Sequence, residues 1–215
     1  MKAIPREAGR ITYSTEIRKL KKIDFSEYQR AVIIGSILGD GCLCENWSKT
    51  NYRLIISHSI IQKEYIEWKY EILKQYVLTE PKVHEGTQSY RLRTISHPYL
   101  SELRELFYPN GKKCLPKNVK EFLKNPLTLA VWFMDDGNAV VKKGKLVGMQ
   151  INSQSFSKKE NYFLADSLMS IYGFMPLVEK NKGKSRLAIW KRKDREIFMS
   201  VLKPCVIERM KYKLG

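Results

Sequence analysis

Two predominantly apolar runs organise the chain: Val32-Ile33-Ile34-Gly35-Ser36-Ile37-Leu38 and Leu129-Ala130-Val131-Trp132-Phe133-Met134. Phe25-Ser26-Glu27-Tyr28 supplies a helix start with Ser26 as its cap, so the first run is expected as a buried helix that stops at Gly39 to Gly41. Arg53 to Ser57 alternates as a half-buried strand does, and Gln62 to Val77 has amphipathic helical spacing with Tyr65, Trp68, Ile72 and Leu73 near one face. Lys82 to Ile95 reads as a hairpin turning at Glu85-Gly86-Thr87, where Gly86 is expected to take the positive φ of a tight turn. Helix returns from Pro98 to Phe107. The second run opens the same order again: helix from Leu127 to Met134, a strand pair split by Lys143-Gly144-Lys145, helix from Lys158 to Tyr172, a hairpin around Lys182-Gly183-Lys184, and helix from Asp194 to Leu202. The predicted class is α+β, with two αββαββα half-domains and a four-stranded antiparallel sheet in each.

The repetition holds residue by residue. The register that aligns Asp40 with Asp136 also aligns Ser57 with Ser153, His58 with Gln154, Ser59 with Ser155, Lys63 with Lys159 and Glu64 with Glu160. Beyond a one-residue deletion it aligns Pro81 with Pro176, Val83 with Val178, Arg91 with Arg186, Leu92 with Leu187 and Pro109 with Pro204. Two copies of so long a repeat indicate duplicated halves related by a pseudo-twofold, because a solenoid needs more units. Each apolar run ends in an Asp-Gly pair, Asp40-Gly41 and Asp136-Gly137. Packing the two runs together would therefore bring two carboxylates together. Expected boundaries are a basic arm over 1–24, an N-terminal half-domain over 25–109, a linker over 110–125 rich in Lys, Asn and Pro, and a C-terminal half-domain over 126–215. Arg6, Arg10, Arg18, Lys19, Lys21 and Lys22 make the arm basic.

Charge narrows the partner. The 215 residues carry 39 Lys and Arg against 22 Asp and Glu, a formal net charge of +17, so attraction to a polyanion is built in and nucleic acid is the expected partner. With 43% hydrophobic residues each half can bury a core, and the chain is expected to act as a monomer. No apolar run approaches the roughly 20 residues of a spanning helix, so no membrane role is expected. The four cysteines, Cys42, Cys44, Cys114 and Cys205, form no CxxC pair and no zinc-ligand spacing. With the thiols read as reduced and no signal-like apolar core in the first 20 residues, the protein is expected inside a cell, in bacterial cytoplasm or an organelle matrix, and not among secreted proteins.

The strands hold the candidate nucleic-acid contacts. They are Arg53, Lys82, His84, Gln88, Arg91 and Arg93 in the first half, and Lys142, Lys145, Gln150, Lys180, Lys182, Lys184, Arg186 and Trp190 in the second. A β-ribbon fits the major groove of double-stranded DNA, where Arg, Lys and Gln read base edges.

These residues carry a family resemblance. Leu127-Thr128 with Trp132-Phe133-Met134-Asp135-Asp136-Gly137, Ile151-Asn152-Ser153-Gln154-Ser155-Phe156, Lys203-Pro204 and Met210-Lys211-Tyr212-Lys213-Leu214 resemble the two-motif, single-chain branch of the LAGLIDADG homing endonucleases. The likeness spans nearly all of the chain from Phe25. It implies a saddle of two sheets astride DNA, paired motif helices, and cleavage of both strands at a long asymmetric target to leave short 3′ overhangs, with the gene carried in an intron. Asp40 and Asp136 match the family's metal-binding acids, one for each strand cut, and Gly39 and Asp135 beside them complete the candidate metal site. Asp135 rivals Asp136, but the repeat register and the motif both align Asp136 with Asp40. The metal implied is Mg²⁺, with Mn²⁺ as a substitute, because hydrolysis of a phosphodiester calls for a hard cation on carboxylate ligands. Gly35 would let the two helix backbones approach closely, whereas Val131 at the matching position makes the packing unequal. Lys113 and Lys213 match active-site lysines that stabilise phosphate charge or position water, and His58 and Gln154 occupy corresponding solvent-positioning sites. The alternative function is an RNA-binding maturase that helps an intron fold, with intron RNA as its partner.

Overall fold

The structure is a computed structural model that describes residues 14–46 and 50–215. Arg6 and Arg10 of the expected basic arm lie outside the described residues. A short helix α1 (Thr15–Leu20) precedes α2 (Glu27–Leu38). Ser26 caps α2 as expected: Gln29 N–H donates to its hydroxyl at 3.2 Å, and Ser26 N–H donates to the Gln29 side chain at 3.0 Å. Then follow β1 (Cys42–Glu45), β2 (Tyr52–Ser59), α3 (Lys63–Leu73), β3 (Lys82–His84), β4 (Ser89–Arg93) and α4 (Pro98–Phe107). The second half repeats the order with α5 (Val119–Leu123), α6 (Pro126–Asp136), β5 (Gly137–Lys142), β6 (Lys145–Ile151), α7 (Lys158–Tyr172), β7 (Leu177–Asn181), β8 (Lys184–Ile189) and α8 (Arg192–Leu202). A 3₁₀ segment, Glu208–Leu214, ends it.

The two sheets have the same antiparallel topology, β1-β2-β4-β3 and β5-β6-β8-β7. In the first, Leu43, Leu54, Ile56 and Leu92 are buried, as are Tyr65, Ile66 and Leu73 of α3. Trp68 and Ile72, expected on that helix face, are only half-buried, because Lys69 and Ile66 complete the buried stripe. In the second, Met149, Ile151, Leu187 and Ile189 are buried together with Leu164 and Leu168 of α7 and Phe198 and Leu202 of α8. Local chemistry fixes these elements. Ser157 and Glu160 form a capping box at the start of α7, and Gly173 closes its end at φ +78. Lys143-Gly144 and Lys182-Gly183 both take positive φ at their two central positions, as type I′ hairpins require.

Three expectations need correction. Gly86 does not supply the left-handed residue of the β3–β4 connection. The chain makes a 3₁₀ turn at Glu85–Thr87, and Gln88, at φ 48, closes it by donating its backbone and side-chain N–H groups to Glu85 O at 3.4 and 3.1 Å. The segment 110–125 is more than a linker, because it contains α5, whose Val119 and Leu123 are fully buried and whose Phe122 stacks at 6.2 Å from Phe107. Among the described residues the compact units also depart from the sequence halves: one draws on residues 14–30 and 41–105, the other on residues 31–40 and 106–215. The first apolar run therefore packs with the unit that contains its repeat.

Candidate metal centre and nucleic-acid faces

The site grows from the close approach of α2 and α6. A Cβ on Gly35 would lie 2.6 Å from Val131 Cβ and 2.7 Å from the Thr128 carbonyl, so only glycine fits there. Val131 is thus the residue that Gly35 receives, and the inequality of the two motifs is what lets them interlock. One helical turn later the geometry recurs, since a Cβ on Gly39 would lie 2.5 Å from Asp135 Cβ. Small residues at both places bring the two C-termini side by side.

Three carboxylates gather at those C-termini. Asp135 is 8% exposed and accepts the Asp40 N–H on Oδ2 at 3.2 Å, and the carboxylates of Asp40 and Asp135 have ligand oxygens within 4.8 Å of each other. Asp40 is exposed and Asp136 half-buried. Burial, followed by repulsion from Asp40 and then Asp135, pushes the Asp136 carboxyl up to about 7, only partly offset by the Lys113 charge. Asp135 thereby enters the site on structural grounds, through its grip on Asp40 and its seat against Gly39.

The lysines sit in matched places. Lys113 Nζ donates to the carbonyls of Leu38 and Gly39 at 3.2 and 3.0 Å, and Lys213 Nζ donates to those of Met134 and Asp135 at 2.5 and 2.7 Å. Each ammonium caps the orphan carbonyls of one motif helix, where the helix dipole favours a cation. A surface cavity of about 260 Å³ opens beside Lys113, lined by Pro109, Asn110, Lys112, Cys114 and Glu160. Gln154 joins the Asp136 side of the site through Asn152: its side chain donates to Asn152 Oδ1 at 3.4 Å, and Asn152 N–H donates to the Asp136 carbonyl at 2.9 Å. His58 lies in the other compact unit, buried at the end of β2 with its ring 5.1 Å from Tyr65.

Strand register sorts the other candidates by face. Arg53, Arg91, Arg93, Lys82 and His84 fall on the sheet face opposite Leu54, Ile56 and Leu92, while Gln88 sits in the turn. Burial, then the nearby Arg93 charge, lowers the Arg53 guanidinium below its usual range, and the Nε atoms of Arg53 and Arg91 are buried with no hydrogen-bond partner among the described residues. This face is crowded with uncompensated positive charge. In the second sheet Gln150, Lys184 and Arg186 share the face opposite Met149, Ile151 and Leu187, and a Cβ on Gly148 of that face would strike the Trp190 ring. Lys142 and Lys145 pair at the hairpin end, beyond a bulge at Val140/Val141 that returns Lys145 to the Gln150 face, whereas Lys180 has the opposite parity and Lys182 occupies the turn. The sequence offered no reason to single out Glu179. It lies on the Arg186 face and is bonded by three of the expected contact residues.

The geometry defines a duplicated α+β protein whose motif helices end in a knot of carboxylates and lysines. The chain belongs to the LAGLIDADG DNA endonuclease family, whose sequence profile matches residues 30–196. The probable intron-encoded endonuclease 1 of Wickerhamomyces canadensis is 29% identical over 198 residues, covering 88% of this chain and 84% of that protein. The cytochrome b mRNA maturase bI2 of Debaryomyces hansenii is 27% identical over 195 residues, covering 86% and 72%. Among solved structures, the homing endonuclease I-WcaI bound to its DNA recognition sequence matches with a TM-score of 0.84 at 26% identity, over 100% of this chain and 96% of that one. Among the described residues no helix is long and apolar enough to cross a membrane.

Proposed function

We propose that this chain is a site-specific homing endonuclease that hydrolyses both strands of a long DNA target and leaves short 3′ overhangs. The observation that carries the reading is the convergence of Asp40, Asp135 and Asp136 at two interlocked helix ends in a family member. Carboxylates gathered this closely, with Asp136 pushed up to about 7 by burial and by Asp40, fit a hard divalent cation such as Mg²⁺. Asp40 and Asp136 are the residues that would hold it, with Gly39 and Asp135 completing the site, since an Asp135 oxygen lies within 4.8 Å of an Asp40 oxygen. Bound there, such a cation would supply charge neutralisation at the scissile phosphate and a lower pKa for the attacking water.

The chain's own groups do the rest. Gly35 and Gly39 let the two acids approach, and Asp135 fixes the Asp40 backbone by accepting its N–H. Lys113 and Lys213 hold the helix ends rigid and set positive charge beside the acids. Gln154, tied to Asn152, orders solvent on the Asp136 side. Two motifs in one chain supply one acid for each strand, so a monomer suffices. The arginine-rich face of the first sheet and the Arg186 face of the second contact duplex DNA.

The test is cleavage of a pooled DNA library of intron-insertion junctions with Mg²⁺ or with EDTA, followed by sequencing of the broken ends. Metal-dependent breaks at one long site with uniform 3′ overhangs are expected, and Asp40→Asn or Asp136→Asn should lower cleavage by about a hundredfold or more while DNA binding persists. The likeness to the cytochrome b maturase favours one second reading. Absence of any metal-dependent break, together with tight binding to structured intron RNA, would assign the chain to splicing.

A further inference from the structure

The two sheets present unlike faces. On the first, Arg53, Arg91 and Arg93 crowd together and no carboxylate occupies the register positions of that face. On the second, Glu179 of β7 stands directly opposite Arg186 of β8 and collects three side chains. Arg186 Nε donates to Glu179 Oε1 at 2.8 Å, and its Nη2 lies 2.7 Å from the same oxygen. Gln150 Nε2 donates to that oxygen at 3.2 Å, and Trp190 Nε1 donates to Oε2 at 3.0 Å. The Arg186 and Glu179 side chains are only 17% and 21% exposed. The Trp190 ring also has a prepared seat, because a Cβ on Gly148 would come within 2.2 Å of it.

An acid on the edge strand of a basic face opposes affinity for a polyanion, so its presence calls for another explanation. We propose that Glu179 is a specificity-determining residue: it withdraws Arg186 from phosphate contact and holds Arg186, Gln150 and Trp190 in one orientation for base recognition. This rests on the DNA-binding reading above. Arg and Gln are the side chains that make bidentate contacts with guanine and adenine edges, and their discrimination depends on a fixed approach. A guanidinium already paired with a carboxylate gains less from a phosphate, so it adds little to binding that ignores sequence. The same carboxylate repels a misplaced backbone and thereby penalises wrong registers. Glu179 acts through its neighbours and is a positioning residue in that sense.

The experiment compares the full chain with Glu179→Gln and Glu179→Asp. Two quantities are measured: affinity for a random duplex as a function of KCl, and cleavage of a library in which every base pair of the target is varied. Glu179→Gln frees Arg186, so it should bind random duplex about tenfold tighter and steepen the slope of log K against log salt by about one. Base preference should flatten about tenfold over one contiguous stretch of the target and nowhere else. Glu179→Asp should restore much of that preference, and Glu179→Gln with Arg186→Ala should abolish the extra salt dependence. A residue that only supported folding would lower the melting temperature and shift neither the slope nor the preference. Unchanged base preference in a folded, cutting Glu179→Gln protein would overturn the inference while leaving the endonuclease intact. Wild-type protein with neither sequence-selective binding nor cutting of duplex DNA would overturn both.

Discussion

At the scale of single residues, the centre is poised between a charge it needs and a charge it cannot hold alone. Asp136 is pushed up to about 7 from 3.8 because burial and the Asp40 and Asp135 charges disfavour its ionised form. The folded, metal-free protein therefore binds a proton at Asp136 more tightly than the unfolded chain does. Stability linked to this group is fully present below the unfolded value near 4, and it is lost as pH rises towards 7. Asp136→Asn removes that liability. In EDTA at pH 8 the variant should melt above wild type, by roughly 2–4 °C for each kcal/mol of relieved repulsion, and the difference should vanish near pH 4. Thermal unfolding of both proteins from pH 4 to 8.5 checks this, and wild type melting at or above the variant at pH 8 would contradict it. A proton competes with a cation for the same oxygens, so Mg²⁺ should raise the wild-type melting temperature at pH 8 and lose that effect below pH 6. A carboxylate that a search for inactive protein would disable is thus also one whose loss should leave the fold sturdier.

At the scale of elements, the geometry of the carboxylate cluster depends on how closely α2 and α6 approach. Gly35→Ala would place a methyl group 2.6 Å from Val131 Cβ and 2.7 Å from a backbone carbonyl that cannot turn aside. The helices would have to separate, at a cost of about 1–3 kcal/mol. Because the same contact sets the distance between the acids, cleavage should fall by more than the stability loss alone explains. Denaturant unfolding and single-turnover cleavage, measured on one preparation, separate the two effects. Lys113→Met and Lys213→Met each strip a cap from two helix-end carbonyls, and either should destabilise the protein by about 0.5–2 kcal/mol, read as a lower denaturation midpoint with unchanged slope. Much of this was legible beforehand. The apolar runs, the glycines at turns and caps, and the repeat register located the second sheet, three strands of the first and the helices between them, because each is fixed by local periodicity and turn chemistry, whereas the short strand β1 (Cys42–Glu45) carries no such signal. What escaped notice was non-local. Helix α5 hides in a Lys- and Pro-rich stretch whose few apolar residues, Val119, Phe122 and Leu123, matter only once Phe107 is there to receive them. The role of Asp135 depends on Gly39, a partner in the other copy of the motif. Lys180 looked equivalent to Lys184 in sequence, and strand parity alone sets it on the opposite face, while a bulge at Val140/Val141 that the sequence does not announce keeps Lys145 on the Gln150 face.

At the scale of the whole molecule, the net charge of +17 sets how strongly the chain holds DNA before any base is read. Counterion release makes that term steeply dependent on salt, by about 0.9 in log K against log salt for each phosphate neutralised. Which cations contribute follows from what each already holds. Arg53 and Arg91 have buried Nε atoms without hydrogen-bond partners among the described residues, and the Arg53 charge is disfavoured by burial and by Arg93. An incoming phosphate would relieve both penalties. Arg186 starts from a satisfied pair with Glu179 and gains little from the exchange. Arg53→Ala and Arg91→Ala should therefore each weaken binding to any duplex and reduce the salt slope by about one, with no change in base preference. Arg186→Ala should leave the slope nearly untouched while relaxing preference at the base pairs its sheet reads. Fluorescence anisotropy on a random duplex and on the cleaved target, across a series of KCl concentrations, distinguishes the two behaviours. Equal slopes for all three variants would mean that the two sheets hold DNA alike. Slopes that separate as described would show a duplicated protein whose halves have kept one fold and divided affinity and selectivity between them.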